Sequence, residues 1–380
     1  MKIAMFTDSY LPQINGVVTQ VKNTSEELVK RGHEILIVAP SHKSKSYEKI
    51  GKGRKEIYLS SVALPTYDDY RITSPSSKKV LRALEDFAPD VLHVHTPFSV
   101  GWLGIRYAKR LHIPLIGTYH TLIPDFMMYL PIPFLKDTKF AKNSAWKYTN
   151  RFYNKCDVIT SPTGAMKKEL EAHGSNKVTV LSNAIHFQQF NKHKKKKYET
   201  KKPSLIYFGR IGFEKNINIL IFALKHLVWK NHSLNLSITG SGPALQYLKA
   251  LVKEQKLKKY VEFHKPLKDS ELAKHVGKHD VFVTASTIET QGLTILESMA
   301  CGVPCVGADY LAIPHAIKDN KTGFLFAPFD FIECANKVEK LLKSSSLRQK
   351  IGKNCIEEAR KYSLEHVVSE WEKLYAKVAE

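Results

Sequence analysis

Cysteine is scarce in this 380-residue chain and forms no pattern. The five, Cys156, Cys301, Cys305, Cys334 and Cys355, make no C-x-x-C pair and are odd in number, which excludes a disulfide framework or a cysteine zinc site as the organising feature. A reducing cytoplasm is the compartment this usage implies. Long apolar runs are missing as well, since no stretch reaches the ~18 consecutive apolar residues of a spanning helix. "MKIAMFTDSY" meets Asp8 before an apolar core can build, so it reads as a first strand and not as a signal peptide. Glycine-rich nucleotide loops are lacking too. "FTDSYLPQINGV" offers Gly16 alone after the first strand, "ITGSGPAL" has Gly240 and Gly242 without a third glycine, and no P-loop pattern occurs. Dinucleotide and P-loop ATPase chemistry therefore drop out.

Acids are in short supply, 36 Asp+Glu against 58 Lys+Arg, for a formal charge of +22. Such an excess calls for acidic partners: nucleic acid, an anionic membrane face or phosphorylated small molecules. Charge alone does not choose among them. The excess is spread over both halves, unlike a basic tail on a neutral domain, and no nucleic-acid-binding motif accompanies it.

Short apolar runs alternate with helical periodicity throughout, the pattern of parallel sheets wrapped by helices. In the first half the strands read as "KIAMF", "EILIVA", "VLHVHT", "PLIGTYH", "DVITSP" and "KVTVLSNAI", giving one doubly wound domain over residues 1–190. Lysines then crowd out apolar residues in "NKHKKKKYETKK", residues 191–202, which reads as a solvated linker or a contributor to anionic-surface binding. Alternation restarts with "LIYFGR", "LNLSITG", "YVEFHKPL", "VFVTAS", "PCVGAD" and "GFLFAP", a second α/β domain over 203–362. A last helix from about Glu365 sets Val367, Trp371, Leu374 and Val378 on one face that must pack on something.

His93 and His95 share one face of a strand, which suits either a metal site or, with far more weight, two core histidines. His120 closes "PLIGTYH" at a strand's carboxyl end, where open α/β sheets present functional groups and where turn histidines also occur. The acids in "TIETQGLTILE" carry the most chemistry. "GLTILESMACG" predicts a short helix from Gly292 to Gly302, apolar around most of its circumference, so Glu297 is poorly solvated and has no Lys or Arg within one turn. A buried carboxylate needs donors, and a sugar diol supplies them. The helix start offers amides and dipole to an anion, with Gly292 allowing close approach. From Gly292 to Glu297 the rise is about 7–8 Å, similar to the span from a nucleotide's phosphates to its ribose hydroxyls. Glu289 lies before the helix, on the far side of those phosphates. The alternative is two acids paired to surface lysines. Arg210 and Lys215 in "FGRIGFEKN" follow the second domain's first strand, at the sheet edge where a ligand crevice opens, and two cations there would stabilise a diphosphate without a metal.

Together these residues resemble a family. Glu289 and Glu297 match the E-x7-E motif of retaining nucleotide-sugar glycosyltransferases of the GT-B fold, glycosyltransferase family 4, and "YFGRIGFEK", "ITGSGP", "ESMACGVPCVGAD" and "TGFLF" follow in the family's order. The resemblance implies two Rossmann-like doubly wound domains facing a central cleft, with the final helix, about 363–380, crossing back to the N-terminal domain. It implies that Arg210 and Lys215 hold the donor diphosphate, Glu297 the ribose hydroxyls and Glu289 the transferred sugar. Gln291, Gly292 and Leu293 would present amides to phosphate and sugar, Gly16 would approach the diphosphate, and His120 would line the reaction centre. No cofactor and no obligatory metal are expected. "LSNAIHFQQF" places Ala184 and His186 where many members have Gly and Asp, "EKN" replaces "EKG", and "FHKPL" lacks a common glycine, which leaves sugar and base preference open.

Within the family, "TDSYLPQINGVV", "HVHTPFSVG", "TYHT" and "IETQGLT" most resemble the diacylglycerol glucosyltransferases and related glycolipid synthases. The implied partners are a nucleotide-sugar donor, UDP-glucose, and a lipid acceptor such as diacylglycerol. Phosphatidylinositol mannosyltransferases and cell-wall enzymes share parts of the pattern. Residues 101–155 interleave basic residues with Trp102, Phe126, Met127, Met128, Tyr129, Phe134, Trp146, Phe152 and Tyr153. Lys147, Arg151 and Lys155 form one helical stripe and Ala141, Ala145, Tyr148 and Phe152 another, which suits an anionic interface and suits a core helix equally well. A peripheral protein on the cytoplasmic face of the cell membrane, with no nucleic-acid partner, is the resulting expectation.

Overall fold

The computed structural model describes residues 1–380 apart from 14, 44, 65–66, 127–137, 201 and 231. The chain divides into two compact units, Met1–Ala184 with Leu364–Glu380, and Ile185–Ser363.

In the first unit, among the described residues, an eight-stranded sheet runs in the order Val178–Val180, Val158–Ser161, Leu115–Thr118, Val91–Val94, Lys2–Phe6, Glu34–Pro40, Arg54–Leu59 and Tyr47–Gly51. All pairs are parallel except the last. The central strands are buried on both faces, which is why they read as continuous apolar runs. Chain order reverses between Lys2–Phe6 and Val91–Val94, placing a switch point at their carboxyl ends. The strands Arg54–Leu59 and Tyr47–Gly51 were not legible in the sequence: Tyr47–Gly51 is half to fully exposed and charged, as suits a sheet edge.

The helix Leu364–Ala379 belongs to this unit and buries Val367, Val368, Trp371 and Tyr375 in its core. Leu374 and Val378, expected on the buried face, are only partly covered. Polar contacts fix the helix. The Tyr375 hydroxyl lies 2.8 Å from His93 Nδ1, and the Arg31 guanidinium donates to Glu372 at 2.7 Å and to the Glu365 carbonyl at 2.8 Å.

The second unit holds a wholly parallel six-stranded sheet among its described residues, ordered Val261–His264, Asn235–Thr239, Ser204–Phe208, Val281–Thr284, Cys305–Ala308 and Gly323–Phe326. In chain order this is 3-2-1-4-5-6, the doubly wound arrangement, with its switch point between Ser204–Phe208 and Val281–Thr284. The lysine-rich stretch is not a separate linker. Lys195 Nζ sits 2.9 Å from Asp280 with both side chains largely buried, and the Tyr198 hydroxyl donates to the Gly302 carbonyl at 2.8 Å. These contacts place 191–202 inside the second unit, whose boundary falls at Ile185 instead of 203.

Candidate functional site

Two loops leave the carboxyl edge of the second unit's sheet at its switch point, one after Phe208 and one after Thr284. Lys215 Nζ bridges them, 2.6 Å from Glu289 Oε1 and 3.5 Å from the Ile288 carbonyl. Arg210 Nη1 pairs with Glu214 Oε1 at 2.8 Å, Glu214 being buried and Arg210 about a quarter exposed (28%). Asn216, at φ +49°, donates from Nδ2 to the Ala285 carbonyl at 3.2 Å and to Thr287 Oγ1 at 3.1 Å, while the Thr287 amide reaches the Glu214 carbonyl at 3.4 Å. The Tyr207 hydroxyl donates to the Arg210 carbonyl at 2.7 Å. Burial, and then the charges of Glu289 and Glu214, push this phenol well above its ordinary range, so it stays a donor.

The glycines of "ITGSGP" serve this loop packing. A Cβ on Gly240 would lie 1.9 Å from the Gly209 carbonyl oxygen and one on Gly242 would lie 2.4 Å from that of Ile211. Both adopt positive φ, and the Ile211 amide donates to the Ser241 carbonyl at 2.8 Å. A third glycine is not needed because the pair accommodates backbone and not a dinucleotide turn.

Gly292 stands at φ +79°, ψ +59° before the helix Leu293–Ala300, a left-handed conformation that favours glycine. Ile295, Leu296, Ser298, Met299 and Ala300 are buried, whereas Leu293, Thr294 and Glu297 are half-buried and share a stripe one turn long. Glu297 is thus better solvated than its apolar neighbours imply. It lies on the half-buried side of the helix, beside Leu293 and Thr294. Gln291 is buried directly before the helix. Arg210, Lys215, Glu289, Gln291, Gly292, Leu293 and Glu297 are therefore gathered on one sheet edge. The alternative of acids paired to surface lysines holds only in altered form: the partner of Glu289 is Lys215, itself a candidate cation.

Gly16 and His120 belong to the other unit. Gly16 is exposed and opens the helix Gly16–Lys30, whose start is capped by Asn15 Oδ1 accepting from the Val18 amide at 3.0 Å. His120 follows the strand Leu115–Thr118, its Nε2 being 3.1 Å from His95 Nδ1 with the rings nearly parallel. Burial lowers His120 to about 3 and holds His93 and His95 well below the ordinary range, with neighbouring histidines adding repulsion for those two. His93 is a core histidine, set between Tyr375 and Thr118 Oγ1, the latter at 2.6 Å. Among the described residues no group of three or more His, Cys, Asp or Glu side chains has the arrangement to hold a metal ion.

Asp8 was not singled out by its sequence position beyond being an early acid. It is fully buried at the end of the first strand and accepts from Thr96 Oγ1 at 2.8 Å, Ser99 Oγ at 2.9 Å, the Val100 amide at 2.7 Å and the Gly101 amide at 3.1 Å. It caps the helix Ser99–Leu111 across the switch point. Burial raises its carboxyl and these four bonds pull it back.

The helix Lys139–Tyr153 turns Ala141, Ala145, Trp146, Phe152 and Tyr153 into its unit and leaves Lys147 and Arg151 exposed beside Phe140. Its apolar stripe is core, so the interfacial reading retains the basic stripe and Phe140 alone. Met127, Met128, Tyr129 and Phe134 lie outside the described residues. Among the described residues no helix is long and apolar enough to cross a membrane.

Comparison with known proteins places this geometry. Residues 14–189 match the family described as Glycosyltransferase Family 4, and residues 188–358 match Glycosyl transferases group 1. The chain is 30% identical over 340 residues to an alpha-monoglucosyldiacylglycerol synthase of Streptococcus pneumoniae, covering 86% of this chain and 75% of that protein. It is 26% identical to a GDP-mannose-dependent alpha-mannosyltransferase of Corynebacterium glutamicum, covering 88% and 78%. Among solved structures, sucrose-phosphate synthase from Thermosynechococcus elongatus superimposes with a TM-score of 0.80 at 18% identity over 99% of this chain and 98% of that one. The two doubly wound halves are those of the GT-B fold, and the chain belongs to the group 1, family 4 glycosyltransferases.

Proposed function

We propose that this glycosyltransferase moves glucose from UDP-glucose to a lipid hydroxyl, such as that of 1,2-diacylglycerol, at an anionic membrane surface on the cytoplasmic side, with retention of the α configuration. The observation that carries the reading is the Lys215–Glu289 pair at the switch point, one loop ahead of the Gly292 helix start. The cations and the helix amides suit a diphosphate, and the two glutamates suit hydroxylated groups on either side of it. The pair also gives the Lys215 ammonium a partner before the donor arrives. The diphosphate takes over Lys215, and Glu289 turns to the hydroxyls of the transferred sugar.

In the transfer, the acceptor oxygen attacks the anomeric carbon on the face the nucleotide leaves. The bond from that carbon to the phosphate oxygen breaks, the new glycosidic bond forms, and the departing phosphate takes the acceptor's proton. Arg210 and Lys215 stabilise the charge that develops on the diphosphate in place of a metal, and a chelator should leave the rate unchanged. Glu297 holds the ribose hydroxyls, and the amides around Gln291, Gly292 and Leu293 face phosphate and sugar. Support for a lipid acceptor comes from the Streptococcus pneumoniae relative. The mannosyltransferase relative favours a second reading, with a GDP-mannose donor.

The test is a panel of radiolabelled UDP- and GDP-sugars incubated with diacylglycerol vesicles, followed by organic extraction. Label from UDP-glucose in the lipid phase is expected. Label from GDP-mannose alone selects the second reading, and label that stays wholly aqueous rejects a lipid acceptor.

A further inference from the structure

A shallow apolar groove of about 450 Å³ lies among the helices of the unit Ile185–Ser363 and is lined by no residue assigned to the donor. Phe222, Lys225, His226, Trp229, Gln255 and Phe331 line it. Trp229 ends the helix Ile217–Trp229 with 77% of its surface in solvent, and the Phe222 and Phe331 rings sit 5.9 Å apart on two neighbouring helices. Ile332 and Phe329 extend the exposed apolar surface around the start of the helix Phe331–Leu342. An indole so exposed gains nothing from folding, and contiguous aromatic surface of this kind marks a contact with something apolar.

The border chooses the occupant. Lys225 and Lys230 flank the groove, and the turn after Gln255 adds exposed Lys256, Lys258 and Lys259. Five lysines thus stand against few acids: the exposed Glu254 accepts from Gln255 Nε2 at 3.0 Å, and the others are engaged. Glu339 is shared by Lys230, His232 and Lys343, Asp330 caps the amides of Ile332 and Glu333, and Glu333 accepts from the Ala327 amide. Two copies apposed through this face would bring lysine against lysine on a chain that already carries +22. An anionic bilayer satisfies both parts at once: the indole and phenyl rings enter the headgroup layer and the lysine stems carry their charges to the lipid phosphates.

We propose that this groove is a bilayer-docking surface for anionic lipid on the donor-side unit, separate from the basic stripe of the helix Lys139–Tyr153. The inference rests on the lipid-acceptor reading for its purpose but not for its test. The chain has four tryptophans, and the other three are shielded: Trp102 is half-buried, Trp146 is 8% exposed and Trp371 is 1% exposed. Emission quenched by acyl-chain bromine therefore reports Trp229.

The full-length protein is mixed with vesicles of equimolar phosphatidylglycerol and phosphatidylcholine, the latter brominated on its chains. Quenching is expected in the wild type and lost in Trp229→Phe. Trp229→Ala should bind these vesicles about tenfold more weakly while transferring sugar to a detergent-dispersed acceptor at the wild-type rate. Bound protein with unquenched emission overturns the proposal, as does failure to bind. A Trp229-dependent dimer seen by light scattering in the absence of lipid assigns the groove to a second copy and overturns it too. Glycolipid formation followed in parallel separates the two claims: lipid product without quenching defeats this inference alone, and quenching without lipid product defeats the functional reading alone.

Discussion

Lys215 Nζ and Glu289 Oε1 stand 2.6 Å apart, joining the loops that leave the two strands at the second unit's switch point. Each side chain is under one-fifth exposed, so neither is a freely solvated surface charge. A pair so placed orients both side chains before substrate enters, and it can be exchanged for a phosphate on one side and a hydroxyl on the other.

Lys215→Ala removes the cation that meets developing charge. Turnover should fall by ~10²–10³, with a smaller change in nucleotide affinity. Steady-state kinetics on detergent-dispersed acceptor separate the two effects, and a wild-type kcat contradicts the assignment.

Glu297→Ala should do the reverse. Loss of hydrogen bonds from sugar hydroxyls to a carboxylate costs about 1.5–3 kcal/mol, or roughly tenfold to over a hundredfold in affinity. Titration calorimetry with the nucleoside diphosphate reads this directly, while kcat at saturating donor stays within a few-fold. Unchanged affinity would remove Glu297 from the donor site.

Gly292→Ala tests the helix start. The alanine must adopt φ +79°, and its Cβ meets Ile295 Cδ1 at 2.8 Å. The strain is about 1–2 kcal/mol, which lowers Tm by a few degrees in thermal unfolding. A Tm at or above that of the wild type would show the position to be unstrained.

The buried histidines set an acid limit on the first unit. Burial holds His93 neutral, so that it takes up its proton well below the ordinary range, whereas the unfolded chain takes it up near 6.5. Below pH 6.5 the unfolded state therefore binds more protons, and stability rises with pH across that window. The slope is up to ~1.4 kcal/mol per pH unit for each such group. Removing this contribution in His93→Gln should flatten the stability profile between pH 6 and 4 by about 1 kcal/mol per unit, measured by urea unfolding. A slope equal to that of the wild type would mean that His93 is charged in the folded protein.

What could be read from the sequence followed burial. The six strands described in the second unit appeared as apolar runs, five because they are buried along most of their length, while the edge strand Val261–His264 keeps only Val261 buried, and the order of Arg210, Lys215, Glu289 and Gly292 along the chain already placed them at one sheet edge. The edge strand Tyr47–Gly51 escaped because its charged, exposed composition carries no core-facing pattern. The packing of Lys195 and Tyr198 escaped because their partners, Asp280 and Gly302, are distant in sequence. Asp8 could not be distinguished from an ordinary loop acid until Thr96, Ser99 and the amides at 100 and 101 were in place around it. The aromatic stripe of Lys139–Tyr153 was ambiguous for a physical reason, since a core face and a membrane face have the same periodicity.

The central claim is tested most directly by proton NMR of the anomeric signal in the lipid formed from UDP-glucose and diacylglycerol. The account predicts a glucolipid with the small vicinal coupling of the α-anomer, formed by the wild type and nearly absent with Lys215→Ala. A β-linked product, or a complete lack of lipid-borne sugar from an enzyme that binds UDP-glucose, would contradict it.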